Sequence, residues 1–442
     1  MRTRRTEPAA TRNCSAPPST EPLDSVWLKE LAMRCGADDV GLVDAGRGAL
    51  RAEAPGIDSL LPGARTVVSI AVRMNPDALR SPWMGVVNRE AGFANRAVDE
   101  AASELSQSLL AAGVRSVAVP AAFPMDMQNW PGKLWPVSHK IIAEQAGLGR
   151  MGHHRLLIHP RFGTAVLLSA VIVDRPSSAY DAPSEENPCS GCKLCVAACP
   201  TGSIRPDGTF SFVNCATHNY RYRLGGFVDW AESLAESKSR RDYRNRVPDA
   251  ETVSLWQALA YGTNYTCLNC LAVCPAAAEC DVATEQERRA PRSAALAQAL
   301  RARGGPVYVL RGSDAETHAE KTFPAERIRR VRGGTRPASA RGFVQALPLV
   351  FQPGRARGLD ATYHFDFTGA DPCQATVVIR HQTLAVASEL KGSPDLKVVT
   401  DGPTWVSFLA GETRLFPALL RRRIRIHGRP SLLKAFARCF PA

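Results

Sequence analysis

The stretch PCSGCKLCVAACP, residues 188–200, restricts this chain more than any other. Cys189, Cys192 and Cys195 recur at three-residue intervals, Cys199 follows, and Pro200 closes the run. Three thiolates so spaced on a tight loop grip three irons of one cubane, while the fourth, carried onward by the start of a helix, serves a neighbouring cluster. Pro200 then opens a new segment without needing a backbone donor. A second group, TCLNCLAVCP, supplies Cys267, Cys270 and Cys274, and Cys215 stands between the groups. With the fourth ligand exchanged, one 4Fe-4S cluster sits on Cys189, Cys192, Cys195 and Cys274, the other on Cys199, Cys215, Cys267 and Cys270. A plain two-cluster protein repeats the full four-cysteine run, so the isolated Cys215 is a departure. Zinc knuckles use pairs of C-x2-C, and this run has one thiolate too many. Disulfides do not suit a chain without a secretory signal.

The length of 442 residues, with 45% apolar and 22% charged side chains, fits about three globular domains. The longest apolar stretch, Thr164–Val173, is far short of the about 20 residues of a membrane span. Residues 1–24 contain an Arg pair without an apolar segment behind it and read as a disordered tail, which makes the chain cytoplasmic. The net charge of +13 suits an acidic partner, but many arginines lie outside the cysteine-rich part and no nucleic-acid motif accompanies them. Nucleic acid is therefore expected to be an unlikely partner.

Between Ser25 and Asp174, helical and strand patterns interleave: a helix in VWLKELAMRCGA, strands in DDVGLVDA and RTVVSIAVRM, a long helix in NRAVDEAASELSQSLLAAG, then SVAVPAAF, SHKIIAEQAG and TAVLLSAVIVD. This predicts an α/β sandwich. Gly147, Gly149 and Gly152 spell GxGxxG, but a helix precedes them where a dinucleotide site needs a strand. Those glycines predict a tight loop that exposes backbone, with His139, Lys140, His153, His154 and Arg155 around it. Residues 283–336 read as a basic linker, and residues 337–442 as an α+β block whose clearest strand is ATYHFDFTG.

The sequence VSHKIIAEQAGLGRMGHHRLLIHPRFG, the cysteine run, Cys215 and CLNCLAVCP together resemble the epoxyqueuosine reductase and reductive dehalogenase superfamily over about residues 25–282. The resemblance implies a nitroreductase-like α/β domain at 25–176 that binds cobalamin, followed at 177–282 by a ferredoxin-like module with two 4Fe-4S clusters. It places Gly147, Gly149 and Gly152 at the cobalamin, with His139 and Lys140 on the helix before it, and implies a reduced ferredoxin or flavodoxin as electron donor. Epoxyqueuosine reductases carry an aspartate acid where this chain has Lys133, which counts against a tRNA-modifying activity. Tyr220 and Tyr222 are candidate proton donors by chemistry alone, and packing at a domain seam is the better explanation of them.

The series YHFDFTG, DLKVVTDGPTWVSFLAGE and IRIHGRPSLLKAF resembles the sterol carrier protein 2 (SCP2) fold, which encloses an apolar tunnel for sterols or acyl chains. It implies a hydrophobic small molecule or lipid as ligand, near Phe365, Trp405, Phe408, Leu415 and Phe416. The expectation is an oxidoreductase passing electrons through two clusters to cobalamin, which reduces an apolar substrate bound or delivered by the SCP2-like domain. Two alternatives stand beside it: an electron carrier with a lipid-binding appendage, and a tRNA-modifying reductase.

Overall fold

The computed structural model describes residues 21–189, 191–262, 266–277 and 292–441. Most of the expected N-terminal tail, and part of the boundary between cysteine module and linker, lie outside them. Leu23 is already part of the fold, buried and bridged to Ser177.

The first half is built on a four-stranded sheet ordered β1 (Asp39–Asp44), β2 (Thr66–Arg73), β6 (Val166–Val173), β3 (Ser116–Val119). Every pairing in it is antiparallel. Interleaved helices and strands suggest parallel crossovers, but here the helices cover an antiparallel sheet. Side chains alternate between its faces. Leu42, Val68, Ile70 and Val171 pack under the helices Ser25–Arg34 and Met84–Ala111. Val43, Val67 and Ile172 face Ile57 and Ile142, the latter on the helix His139–Gln145. Because both faces are buried, β2 reads as a continuous apolar run. A hairpin of β4 (Arg150–Met151) and β5 (Leu157–Ile158) follows the glycine-rich loop.

Short helices carry the cysteine segments, and then the chain departs from the linker expectation. Strands β7 (Val307–Leu310) and β8 (Ile328–Val331) pair in parallel around the helix Asp314–Thr322, with Val307, Val309, Ala315, Ala319 and Phe323 buried between them. The abundance of arginine hid this unit, because its apolar residues are few and its strands are short.

The C-terminal sheet is ordered β11 (Thr383–Ala387), β10 (Cys373–Arg380), β9 (Ala361–Thr368), β12 (Leu396–Asp401), β13 (Ile424–Gly428). Only β9 and β12 pair in parallel in this sheet. Tyr363, Phe365 and Phe367 alternate onto one face and meet Phe343, Trp405 and Phe436 from three helices. Leu415 packs at the edge of this core, whereas Phe416 is 76% exposed.

The halves are joined closely. Gln352 is fully buried, and its side-chain oxygen accepts from Asn214 Nδ2 at 3.2 Å and from Asp314 N–H at 2.9 Å. This ties the cysteine-bearing helix Phe212–Asn219, the β7–β8 unit and the C-terminal block together. Nearby, Gly225 and Gly334 touch backbone to backbone, so that a Cβ on either would strike main-chain atoms.

Candidate functional site

The loop before Cys195 bends through left-handed conformations at Gly191 and Lys193. The helix Leu194–Ala198 is only five residues long, and the backbone becomes extended at Cys199. The fourth cysteine thereby departs from the path of the first three. Cys189, Cys192 and Cys195 line one cavity with Cys274, which arrives from the second motif. Burial pushes the Cys274 thiol up to about 12, and Cys192, Cys195 and Cys189 add to the rise. Cys195 is pushed to about 11 by burial, then by Cys192 and Cys189.

Cys199, Cys215, Cys267 and Cys270 act on one another in the same way. Burial raises Cys215 far above the thiol range, with Cys199 and Cys267 adding to it. Cys267 goes to about 12 through burial, with Cys199 contributing. Cys270 is raised by burial and then by Cys267, Cys215 and Cys199.

Two sets of thiols, in which burial and neighbouring thiols raise the cost of ionising Cys195 and Cys274 in one and Cys215, Cys267 and Cys270 in the other, suit a strongly cationic inorganic centre, which binds thiolate and relieves that cost. Among the described residues, no three His, Cys, Asp or Glu side chains converge on one point as ligands of a single ion. A cubane spreads its thiolates over separate irons and does not require that convergence. The donor sets therefore fit iron–sulfur clusters.

The histidines beside the glycine-rich loop belong to the first cysteine set. His153 and His154 line its cavity. The His153 N–H donates to Cys189 Sγ at 3.4 Å, a bond of the kind that tunes cluster potential. Lys193 Nζ lies 3.1 Å from His153 Nδ1, so Nε2 is the protonated nitrogen and donates to the Arg205 carbonyl at 2.8 Å. His154 is buried and pushed down to about 4 by that burial, with His153 and Lys140 adding to the fall.

The five residues expected at cobalamin are placed differently. Gly147 adopts φ +76°, and a Cβ there would lie 2.7 Å from the Ala182 carbonyl oxygen. Gly149, at φ +145°, is pressed against the Ile158 carbonyl, and Gly152 against the His154 ring. All three are required by contacts with the chain itself, and they form no open cradle. His139 is buried, with Nε2 2.8 Å from the Pro120 carbonyl oxygen. Lys140 Nζ donates to the Arg155 carbonyl at 3.1 Å and lies within electrostatic reach of Cys215 and Cys270, so it belongs beside the second cysteine set. None of the five lines either of the two cavities described here. This set, as placed, does not fit a corrin.

Lys133 is held by Glu53, whose Oε2 lies 2.7 Å from Nζ and also accepts the Ser138 N–H at 2.8 Å. The Glu53 side chain is buried, so the lysine is committed to an ion pair. Sequence reasoning passed over Glu53, which no motif marks.

A second cavity, of about 210 Å³, lies where the halves meet. Helix Phe212–Asn219 forms one wall through Phe212, Val213, Ala216 and Thr217, with Tyr220 just beyond. Met125, Leu134 and Trp135 contribute from the N-terminal half, and Trp405, Phe408 and Phe436 from the C-terminal block. Of the residues expected at a tunnel, Trp405 and Phe408 do line it, while Phe365 lies within the core behind. Tyr222 is a seam residue, its hydroxyl 3.1 Å from that of Tyr308.

Comparison with known proteins separates the two halves. Residues 347–441 match the model of the SCP-2 sterol transfer family. An epoxyqueuosine reductase of Listeria monocytogenes is 29% identical over 139 residues, covering 31% of this chain and 29% of that protein. The epoxyqueuosine reductase of Escherichia coli is 27% identical over 171 residues, covering 36% and 41%. The chain joins an epoxyqueuosine reductase-like part to an SCP2-like one.

It spans less than half the length of these reductases. Among solved structures, an epoxyqueuosine reductase with an epoxyqueuosine-modified tRNA-Tyr stem loop aligns over 57% of this chain and 64% of its own, at 20% identity and a TM-score of 0.33. A reductive dehalogenase aligns over 55% and 37%, at 15% identity and a TM-score of 0.35. The sequence relatives, named epoxyqueuosine reductases, count against the expectation that nucleic acid is an unlikely partner. That expectation weighed the lack of a nucleic-acid motif, and a fold can contact RNA without one. No helix among the described residues is long and apolar enough to cross a membrane.

Proposed function

We propose that this chain is an iron–sulfur reductase whose chemistry is that of the epoxyqueuosine reductases. The observation that carries the proposal is the meeting of Cys274 with Cys189, Cys192 and Cys195 around one cavity, with Cys199 left to Cys215, Cys267 and Cys270. The first four would hold one 4Fe-4S cluster and the second four another, which when bound supply single electrons at low potential. The chain's own contribution is to bury Cys195, Cys199 and Cys274, donate the His153 N–H to Cys189, and keep the Lys140 ammonium beside Cys215 and Cys270. On this reading the parts are a nitroreductase-like domain at 25–176, a two-cluster module at 177–282 and an SCP2-like domain at 337–442. The relatives favour reduction of an epoxyqueuosine-modified tRNA.

A second reading is an apolar substrate held at the SCP2-like domain, favoured by the cavity that the domain shares with the Cys215 helix. Anaerobic protein reconstituted with iron and sulfide, given a chemical reductant and an epoxyqueuosine-modified stem loop with and without added cobalamin, separates the two. Conversion to queuosine establishes the first, and a stem loop recovered unchanged from cluster-replete protein removes it.

A further inference from the structure

We propose that the cavity at the junction binds an uncharged apolar molecule carrying a hydrogen-bond acceptor, received by the indole N–H of Trp405 and pressed against the helix that bears Cys215. The proposal rests on the apolar-substrate reading and adds the ligand's chemistry and the wall it touches.

On a helix of 3.6 residues per turn, Phe212, Val213, Ala216, Thr217 and Tyr220 fall on one side, with Ala216 near the middle. Cys215 lies about 100° from Ala216 around the axis, towards Asn214 and His218, which are buried away from the cavity. One helix thus carries a ligand-facing side and a cluster-facing side.

The lining settles the ligand's charge. Three arginines border the cavity, and each is already paired: Arg221 with Asp229 and Glu251 at 2.8 and 2.6 Å, Arg332 with Asp229 at 3.0 Å, and Arg336 with Glu232 at 2.6 Å. No cation is left for a carboxylate or phosphate head, and burying an unpaired charge beside these pairs is costly. Trp405 is 2% exposed, lines the cavity, and its Nε1, like that of the less buried Trp130 on the same cavity, has no acceptor in the protein. A buried N–H without a partner is rare, and a ligand carbonyl or ether oxygen satisfies it.

The test uses Prodan, a neutral naphthalene with a ketone, titrated into the full-length, cluster-reconstituted protein and read by fluorescence. Trp405→Phe keeps the ring and removes the donor: about 5-fold weaker binding is expected, with emission shifted to the blue as the ketone loses its hydrogen bond. Ala216→Trp fills the cavity from the cluster-bearing side and is expected to weaken Prodan by more than about 10-fold. If that variant does not fold by circular dichroism, Val213→Phe probes the same wall. Two competitors probe charge, with 2-undecanone expected to displace Prodan and laurate at neutral pH expected to leave it bound. Unchanged affinity and emission in Trp405→Phe, unchanged affinity in the wall variants, or equal displacement by laurate overturns the proposal. Binding is read without any reductant, so a failure here is separate from a failure to turn over an apolar substrate.

Discussion

Exchanging cysteines in pairs tests the crossed ligand sets directly. The structure places Cys192 and Cys274 on one cavity, although 82 positions separate them in the chain. Cys267 and Cys274 share a motif but belong to different sets. Reconstituted protein should carry about eight irons per chain, about four in each cluster. Alanine at Cys192 or at Cys274 should each leave about four, and the double variant Cys192→Ala/Cys274→Ala should also leave about four, because both ligands serve one centre. Cys267→Ala/Cys274→Ala should leave almost none. Uncrossed sets, with the run 189–199 holding one cluster, reverse the two double variants. Iron and acid-labile sulfide analysis under anaerobic conditions, with electron paramagnetic resonance of the reduced protein, reads the outcome. Iron lost by both centres in Cys192→Ala/Cys274→Ala but by one in Cys267→Ala/Cys274→Ala would refute the reasoning.

Arg221 is buried between Asp229 and Glu251, so Arg221→Met strands Glu251 and should cost about 3–5 kcal/mol in urea unfolding, and a loss under about 1 kcal/mol would show that the carboxylates find other partners. His218 is buried, accepts the Tyr308 N–H at Nδ1, and is pushed down to about 4 by burial. Its folded pKa is depressed, so the unfolded chain binds the extra proton: stability is present above pH about 6.5 and falls by about 3 kcal/mol on acidification to about 4. The pH dependence of the urea midpoint should flatten over that window in His218→Gln, and an identical slope counts against it. Gly149→Ala, prepared without any corrinoid, should lose about 2–4 kcal/mol because the new methyl meets the Ile158 carbonyl. Unchanged thermal unfolding of that variant would return the glycine to a role in cofactor contact.

Motif spacing picked out the eight cysteines that the fold gathers into two groups, because thiols at three-residue intervals stand out against the rest of the chain. Period-two alternation likewise exposed β9, and unbroken apolar runs exposed β2 and β6. Strand direction was not legible, since an antiparallel sheet covered on both faces has the same local pattern as a parallel one. The β7–β8 unit was missed because four-residue strands among arginines leave little period to detect. Gly147, Gly149 and Gly152 were recognised as conformationally special, but whether a glycine makes room for a ligand or for its own chain depends on contacts such as that with Ala182. The cavity was beyond reach, since segments as distant as Leu134, Ala216 and Trp405 meet only in the folded chain.

The contact between Gly225 and Gly334 bears on how this chain can be engineered. Main chain resting on main chain leaves no slack to absorb a substituent, and any side chain there acts as a wedge driven into the seam. A transplant of the segment that joins β8 to the C-terminal block would have to bring Gly334 to a partner glycine like Gly225. A single methyl group at either one offers a way to pry the two workshops apart while leaving each one's own tools in place.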